Sequence, residues 1–173
     1  MLDTLTTMLQ PWADLYAASA WLPTAVIAVH VVAMFLGGGI AIGADRRVLQ
    51  AVPGSSEAFL AVAADLHATH RIVIGALAIT VASGAALFAS DVGTFWGSWV
   101  FWTKMACLLV LVLNGVRMRR TEAELLTNAR NTIEMAIAGP DVTGPWQALR
   151  GEAWTSLAGW FAVVVLGVVV ANV

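Results

Sequence analysis

The sequence predicts an all-α fold, an integral membrane four-transmembrane-helix bundle with an N-terminal interfacial helix. Of 173 residues, 60% are hydrophobic and 12% charged, with a mean hydropathy of +0.82, whereas soluble domains carry about 25% charged residues. Four apolar runs have roughly the 20 residues needed to cross a hydrocarbon core. Charged clusters bound several of these runs, because a charge is costly at the centre of a bilayer.

The elements follow in order along the chain. Apolar side chains at helical spacing in residues 1–20 predict a short interfacial helix, broken by Pro11 and Pro23. The predicted spans are residues 21–44, 71–90, 99–117 and 154–173, with a short loop at 91–97. The second helix is expected to begin near Glu57, and the third to continue out of the membrane to about residue 138. Gly139-Pro140 and Gly144-Pro145 predict breaks in a cytoplasmic segment at 118–152.

The basic residues predict the orientation. Eight of the nine Lys and Arg residues fall on one side of these spans, and only Lys104 lies near the other. The positive-inside rule makes the crowded side cytoplasmic, so we expect a multi-pass protein of the bacterial inner membrane with both termini outside. Tryptophans are expected at both interfaces, with Trp146 at the inner one. The composition gives no indication of nucleic-acid binding.

His30 is the ionisable residue inside the first span, and an imidazole in hydrocarbon needs a partner. His30, Met34, Gly37 and Ala41 share one face of the predicted helix, with small side chains toward its inner end. This face would seat a flat cofactor, or it would let a neighbouring helix approach closely. Both interpretations are open from the sequence.

Scarce histidines on the first two spans suggest b-type haem, because imidazole is a common axial ligand. At 1.5 Å per residue, His30 and His70 differ in depth by about 18 Å, too far to share one iron. In one arrangement His30 holds an outer haem, alone or with Met105. In a second, His67 or His70 holds an inner haem, with Met118 as an exposed partner. In a third, both inner histidines are ordinary interfacial residues.

Other polar residues near the ends of the spans have two interpretations. Arg71 and Lys104 either extend their charges to the interface or pair with haem propionates or another anionic group. Asp45 and Arg46 are expected to form an ion pair, and Asn114 to hydrogen-bond a neighbouring helix. The single cysteine, Cys107, is expected to pack as a small hydrophobe.

Several short segments carry a resemblance: residues 30–38, 45–49, 83–89 and 101–105. They resemble a group of small four-helix bacterial membrane proteins and, more loosely, the membrane domain of CopD-type copper-resistance proteins and small b-type cytochromes. The resemblance covers about residues 20–173. It implies a bundle with a first-helix histidine and a third-helix lysine near the outer surface, which match His30 and Lys104. The chain departs from bis-histidine cytochromes because its third and fourth spans have no histidine.

These observations predict a lipid-embedded redox subunit that binds b-type haem and exchanges electrons with quinone or a partner protein. The candidate cofactor-binding residues are His30, His67, His70, Met34, Met105, Arg71 and Lys104, with the iron on His30 or His70. The alternative is a cofactor-free subunit of a larger membrane complex or a homo-oligomer. A transporter ranks third, because the predicted spans carry no mid-membrane acidic residue.

Overall fold

Four long helices dominate the chain. The computed structural model describes residues 2–51, 56–135 and 143–172, and these form six helices. They are α1 (Leu2–Ala18), α2 (Leu22–Gln50), α3 (Ser56–Ser90), α4 (Val92–Gly97), α5 (Trp99–Met135) and α6 (Thr143–Val170). α2, α3, α5 and α6 each contain a stretch long and apolar enough to cross a membrane. The predicted all-α bundle is confirmed, and the chain is a multi-pass membrane protein.

The four long helices form a ring. α2 packs along α3 and α6, and α5 packs along α6 and α3, with the closest pairs being α2–α3 and α5–α6. α1 lies against one end of α3, where the indole of Trp12 donates a hydrogen bond to the carbonyl of Ala86 at 2.9 Å. Large apolar side chains such as Phe35, Ile72 and Leu109 remain exposed on the outside of the ring. Lipid covers such a surface in a membrane bundle.

Two of the predicted breaks were wrong. α1 runs unbroken through Pro11, and the chain turns instead between Ala18 and Leu22. Gly144 and Pro145 lie in the first turn of α6 rather than ending a helix. A proline is tolerated in a first turn because the missing N–H has no intrahelical acceptor there. The same reason applies to Pro23 in the first turn of α2. Gly139-Pro140 lies outside the described residues.

The remaining boundaries are close to the prediction. α3 begins at Ser56 and α5 continues to Met135. The predicted loop at 91–97 is instead mostly the short helix α4, because the carboxylate of Asp91 accepts a hydrogen bond from the backbone N–H of Thr94 at 3.1 Å. This N-cap satisfies a first-turn donor and favours one extra helical turn.

Two apolar clusters fill the ring. The central cluster consists of Ala41, Leu111, Trp160 and Val163, with Met34, Cys107 and other partly buried side chains packed against it. Cys107 thus packs as a small hydrophobe, as predicted. The second cluster contains Met118 and Trp146, which are 4% and 3% exposed. Met118 was expected to be exposed, and that expectation was wrong, because α5 continues to pack beyond its predicted span.

The central cluster divides the bundle into two halves. On α2, Ala41 lies between His30 and Asp45, and on α5, Leu111 lies between Lys104 and Glu122. We call the part with His30 and Lys104 the His30 half, and the part with Asp45 and Glu122 the Asp45 half.

Candidate functional site

His30 packs against α3. Its Nδ1 lies 3.0 Å from the hydroxyl oxygen of Ser83. A Cβ placed at Gly84 would come within 3.2 Å of His30 Cε1, which is closer than ordinary van der Waals contact. The ring is half-buried and Ser83 is buried. The partner that an intramembrane imidazole requires is therefore a serine on the neighbouring helix, and a glycine makes room for the ring.

The hydrogen bonds of Ser83 favour one tautomer of His30. A serine hydroxyl has one proton, and the backbone carbonyls of Ile79 and Thr80, at 2.7 and 3.1 Å from the hydroxyl oxygen of Ser83, are acceptors for it. The oxygen of Ser83 is then the acceptor for the N–H of His30 Nδ1. This arrangement leaves the lone pair on Nε2. A neutral imidazole whose second nitrogen is fixed by a hydrogen bond is the form that ligates metals.

Lys104 lies in the same half. Its Nζ is 3.4 Å from the position that a Cβ would take at Gly167 on α6. The ammonium is close enough for its charge to act on the imidazole of His30. His30 and Lys104 therefore each lie over a glycine of a neighbouring helix, and together they offer a ligand nitrogen and a cation.

The glycine stripe of α2 is covered by protein. A Cβ at Gly37 would lie 3.1 Å from Cβ of Ala76 on α3, and one at Gly38 would lie 3.0 Å from Cε3 of Trp160 on α6. The structure shows close helix packing along this stripe. An apolar groove of about 190 Å³ remains beside it between Met34 and Trp160, and His30 does not line this groove.

His67 and His70 lie in the Asp45 half and contact Glu122 of α5. Nδ1 of His67 is 3.5 Å from Oε1 and Nδ1 of His70 is 3.1 Å from Oε2. The side chain of His67 is 72% exposed, whereas that of Glu122 is 5% exposed. Ser83 follows His70 by 13 residues, so His30 and His70 lie about 20 Å apart along α3. This separation agrees with the predicted difference in depth.

The other candidate residues are spread over the bundle. Arg71 is exposed, Met34 packs against the central cluster, and Met105 is half-buried on α5 next to Lys104. Among the residues that the structure describes, no three His, Cys, Asp or Glu side chains converge as a metal-binding group. The histidines therefore offer single ligand nitrogens rather than a ligand cluster.

The main feature absent from the sequence prediction is a set of buried carboxyl groups. Asp45, Glu122 and Glu152 are 2%, 4% and 7% exposed. The predicted ion pair between Asp45 and Arg46 was wrong: Arg46 is exposed, while Asp45 is buried and faces Ser156 of α6. Consecutive residues of a helix do not face each other.

Glu152 belongs to a polar network between α5 and α6. Its Oε1 accepts a hydrogen bond from the hydroxyl of Thr121 at 3.1 Å and lies 3.9 Å from Nε of Arg117. The amide of Asn114 donates to the backbone carbonyl of Glu152 at 2.8 Å, so the predicted interhelical bond of Asn114 is confirmed. Oδ2 of Asp45 and Oε2 of Glu152 have no hydrogen-bond partner within the described parts of the chain.

No family model matches the chain, and no curated protein or solved structure is significantly similar to it. The class of protein therefore follows from the fold and its buried groups: a multi-pass helical membrane bundle with two polar regions separated by an apolar layer. The resemblance to CopD-type domains and small b-type cytochromes stays a prediction.

Proposed function

We propose that the protein is a membrane redox subunit that binds one b-type haem through Nε2 of His30 and exchanges electrons with quinone or a partner protein. The observation that supports this proposal is the hydrogen bond from His30 Nδ1 to Ser83, which leaves Nε2 as the ligand atom. When bound, the haem supplies one-electron chemistry. The chain's part is to fix the ring, with Ser83 holding Nδ1 and Gly84 leaving room for the imidazole.

Lys104 has a role in the same proposal. A haem propionate is an anion, and an ammonium near it in a low-dielectric site forms a strong charge-assisted hydrogen bond. Lys104 is the cation that acts on His30. The proposal does not use Gly37 and Gly38 as the porphyrin seat, because Trp160 covers Gly38 and Ala76 approaches Gly37.

The test is the haem content of the purified protein from haem-supplemented cells. We expect a Soret band in the wild type, its loss in His30→Ala and its retention in His67→Ala, which removes an exposed imidazole. Ser83→Ala should lower haem affinity by about 10- to 100-fold, since partners that orient a ligand have effects of that size. A wild type without a Soret band, or equal haem content in His30→Ala, would overturn the proposal.

Substitution of Lys104 separates its two interpretations. If it pairs with a propionate, Lys104→Met lowers the haem-to-protein ratio and Lys104→Arg retains part of it. An unchanged ratio in Lys104→Met would remove this residue from the site.

A second candidate function is a cofactor-free subunit of a larger membrane complex. It is favoured by the indole of Trp160, which fills the space over Gly38 with protein. This function predicts a purified sample that has no chromophore and retains another chain. A detergent-solubilised monomer with its own activity would contradict it.

A further inference from the structure

We propose that Asp45 and Glu152 form a proton-binding site inside the Asp45 half, which exchanges protons with water along the side of α5 that carries Arg117. The two carboxyl groups lie on α2 and α6, on the far side of the central cluster from His30, so their protonation is independent of haem binding.

The first carboxyl group, Asp45, is 2% exposed and lies within the apolar surroundings of α2. The hydroxyl of Ser156 on α6 lies close enough to stabilise its carboxylate. Its Oδ2 has no hydrogen-bond partner among the described residues. This oxygen is therefore a buried polar atom in the bundle interior that can take a proton.

Glu152 has the same arrangement. It is 7% exposed, its Oε1 is held by Thr121, and its Oε2 has no partner in the described parts of the chain. Glu152 and Ser156 are four residues apart on α6 and therefore share a face. Glu152 and the serine that faces Asp45 therefore lie on the same face of α6, which places the two unpartnered oxygens along that face.

An unpaired carboxylate in an apolar interior is costly, and binding a proton removes this cost by neutralising the charge. Buried ionisable residues in membrane helices commonly mark proton relays for this reason. In the proposed step a hydronium ion transfers a proton to Oε2 of Glu152. The hydronium ion becomes a water molecule, and the carboxylate becomes a neutral carboxylic acid. The reverse step returns the proton to water, and Asp45 takes up and releases a proton in the same way.

The surrounding charges define the direction of access. Nε of Arg117, whose side chain is 76% exposed, lies 3.9 Å from Oε1 of Glu152. The negative charge of Glu124, also on α5, repels the carboxylate of Glu152. Ser156 faces Asp45 from α6. Glu122 lies on the α3–α5 seam with His67, His70 and Arg119 and is not part of this site. The central cluster closes the site toward the His30 half, so protons enter and leave from one side.

The experiment is labelling of the intact protein with dicyclohexylcarbodiimide, a hydrophobic reagent that reacts with protonated carboxyl groups, followed by mass spectrometry of peptides across a pH series. We expect label on Asp45 and Glu152 that decreases as the pH rises. Glu124, which is exposed on α5, is the internal control and should stay unlabelled. Absence of label on both Asp45 and Glu152, or label that does not change with pH, would overturn the proposal.

Isosteric variants test whether the two groups form one site. Glu152→Gln should abolish its own label and lower that of Asp45, whereas Glu124→Gln should change neither. Full labelling of Asp45 in Glu152→Gln would mean that Asp45 exchanges protons independently, and the shared site would be rejected. The wild-type labelling pattern is decisive even where a variant fails to fold.

Discussion

The two halves of the bundle bury polar groups by different means. In the His30 half, His30 and Lys104 each lie over a glycine of a neighbouring helix, and a serine hydroxyl holds the imidazole. In the Asp45 half, buried carboxyl groups are held by side chains of adjacent helices, as Glu152 is by Thr121. The polar side chains of the His30 half are positioned by the space that glycines leave on neighbouring helices. Those of the Asp45 half are positioned by contacts with polar side chains.

The distribution of charge explains the difference. Arginines such as Arg47 and Arg117 lie at the Asp45 half and offer counter-charges to its acids. Among the residues that the structure describes, Lys104 is the basic residue whose charge acts on His30. We therefore expect changes of volume to matter most at the central cluster, and changes of charge to matter most in the Asp45 half.

The largest expected effect is that of Trp160→Ala. The indole contacts the Gly38 position and is 5% exposed, so its removal opens a cavity between α2 and α6. Large-to-small core substitutions of this kind cost about 3–5 kcal/mol. Thermal unfolding in detergent measures this, with Trp99→Ala as the control, because Trp99 is 75% exposed. Equal losses in the two variants would show that the glycine stripe does not depend on this indole.

The next effect is that of Glu122→Gln, which tests pairing in the Asp45 half. The amide offers His67 and His70 one acceptor in place of two carboxylate oxygens, and a buried polar group that loses its partner costs about 1–3 kcal/mol. Glu124→Gln is the matched control on the same helix and should stay within about 0.5 kcal/mol, as exposed substitutions do. Comparable unfolding temperatures for the two variants would show that apolar contacts, and not the contacts of Glu122 with His67 and His70, stabilise the packing of α3 against α5.

Gly159→Ala tests the effect of volume on α6. The added Cβ would lie 2.7 Å from Cδ2 of Leu111, inside the central cluster. Overpacking a core costs about 1–3 kcal/mol, and the higher helix propensity of alanine offsets part of this. A Cβ at Gly151 on the same helix meets no atom of the described residues within 4 Å, so Gly151→Ala should be neutral or mildly stabilising. Unfolding curves of the two variants should therefore shift in opposite directions or by clearly different amounts.

The bundle could be predicted from hydropathy because four apolar runs and their charged ends recur along the chain. The partner of His30 could not, since nothing local to α2 indicates which helix packs beside it. The buried acids had an available signal. Asp45 continues the face of Gly37 and Ala41 at intervals of four residues, and Glu152 precedes Ser156 and Trp160 at the same interval. Because these residues are charged, we expected them outside the bundle. Their spacing of four residues from buried positions of the same helix indicates that they lie inside it.

The smallest expected effect concerns the ion pair between Arg47 and Asp65, which joins α2 to α3 at the rim of the Asp45 half. The two side chains are 51% and 43% exposed. Exposed pairs contribute about 0.2–1 kcal/mol, because water screens the charges and ordering two long side chains costs entropy. A double-mutant cycle with Arg47→Ala and Asp65→Ala should therefore give a coupling free energy in that range. The same cycle on His70 and Glu122, which are largely buried, should give a larger value. A coupling free energy of Arg47 and Asp65 as large as that of His70 and Glu122 would contradict this expectation. Burial would then not explain how strongly charged and polar side chains interact in the Asp45 half.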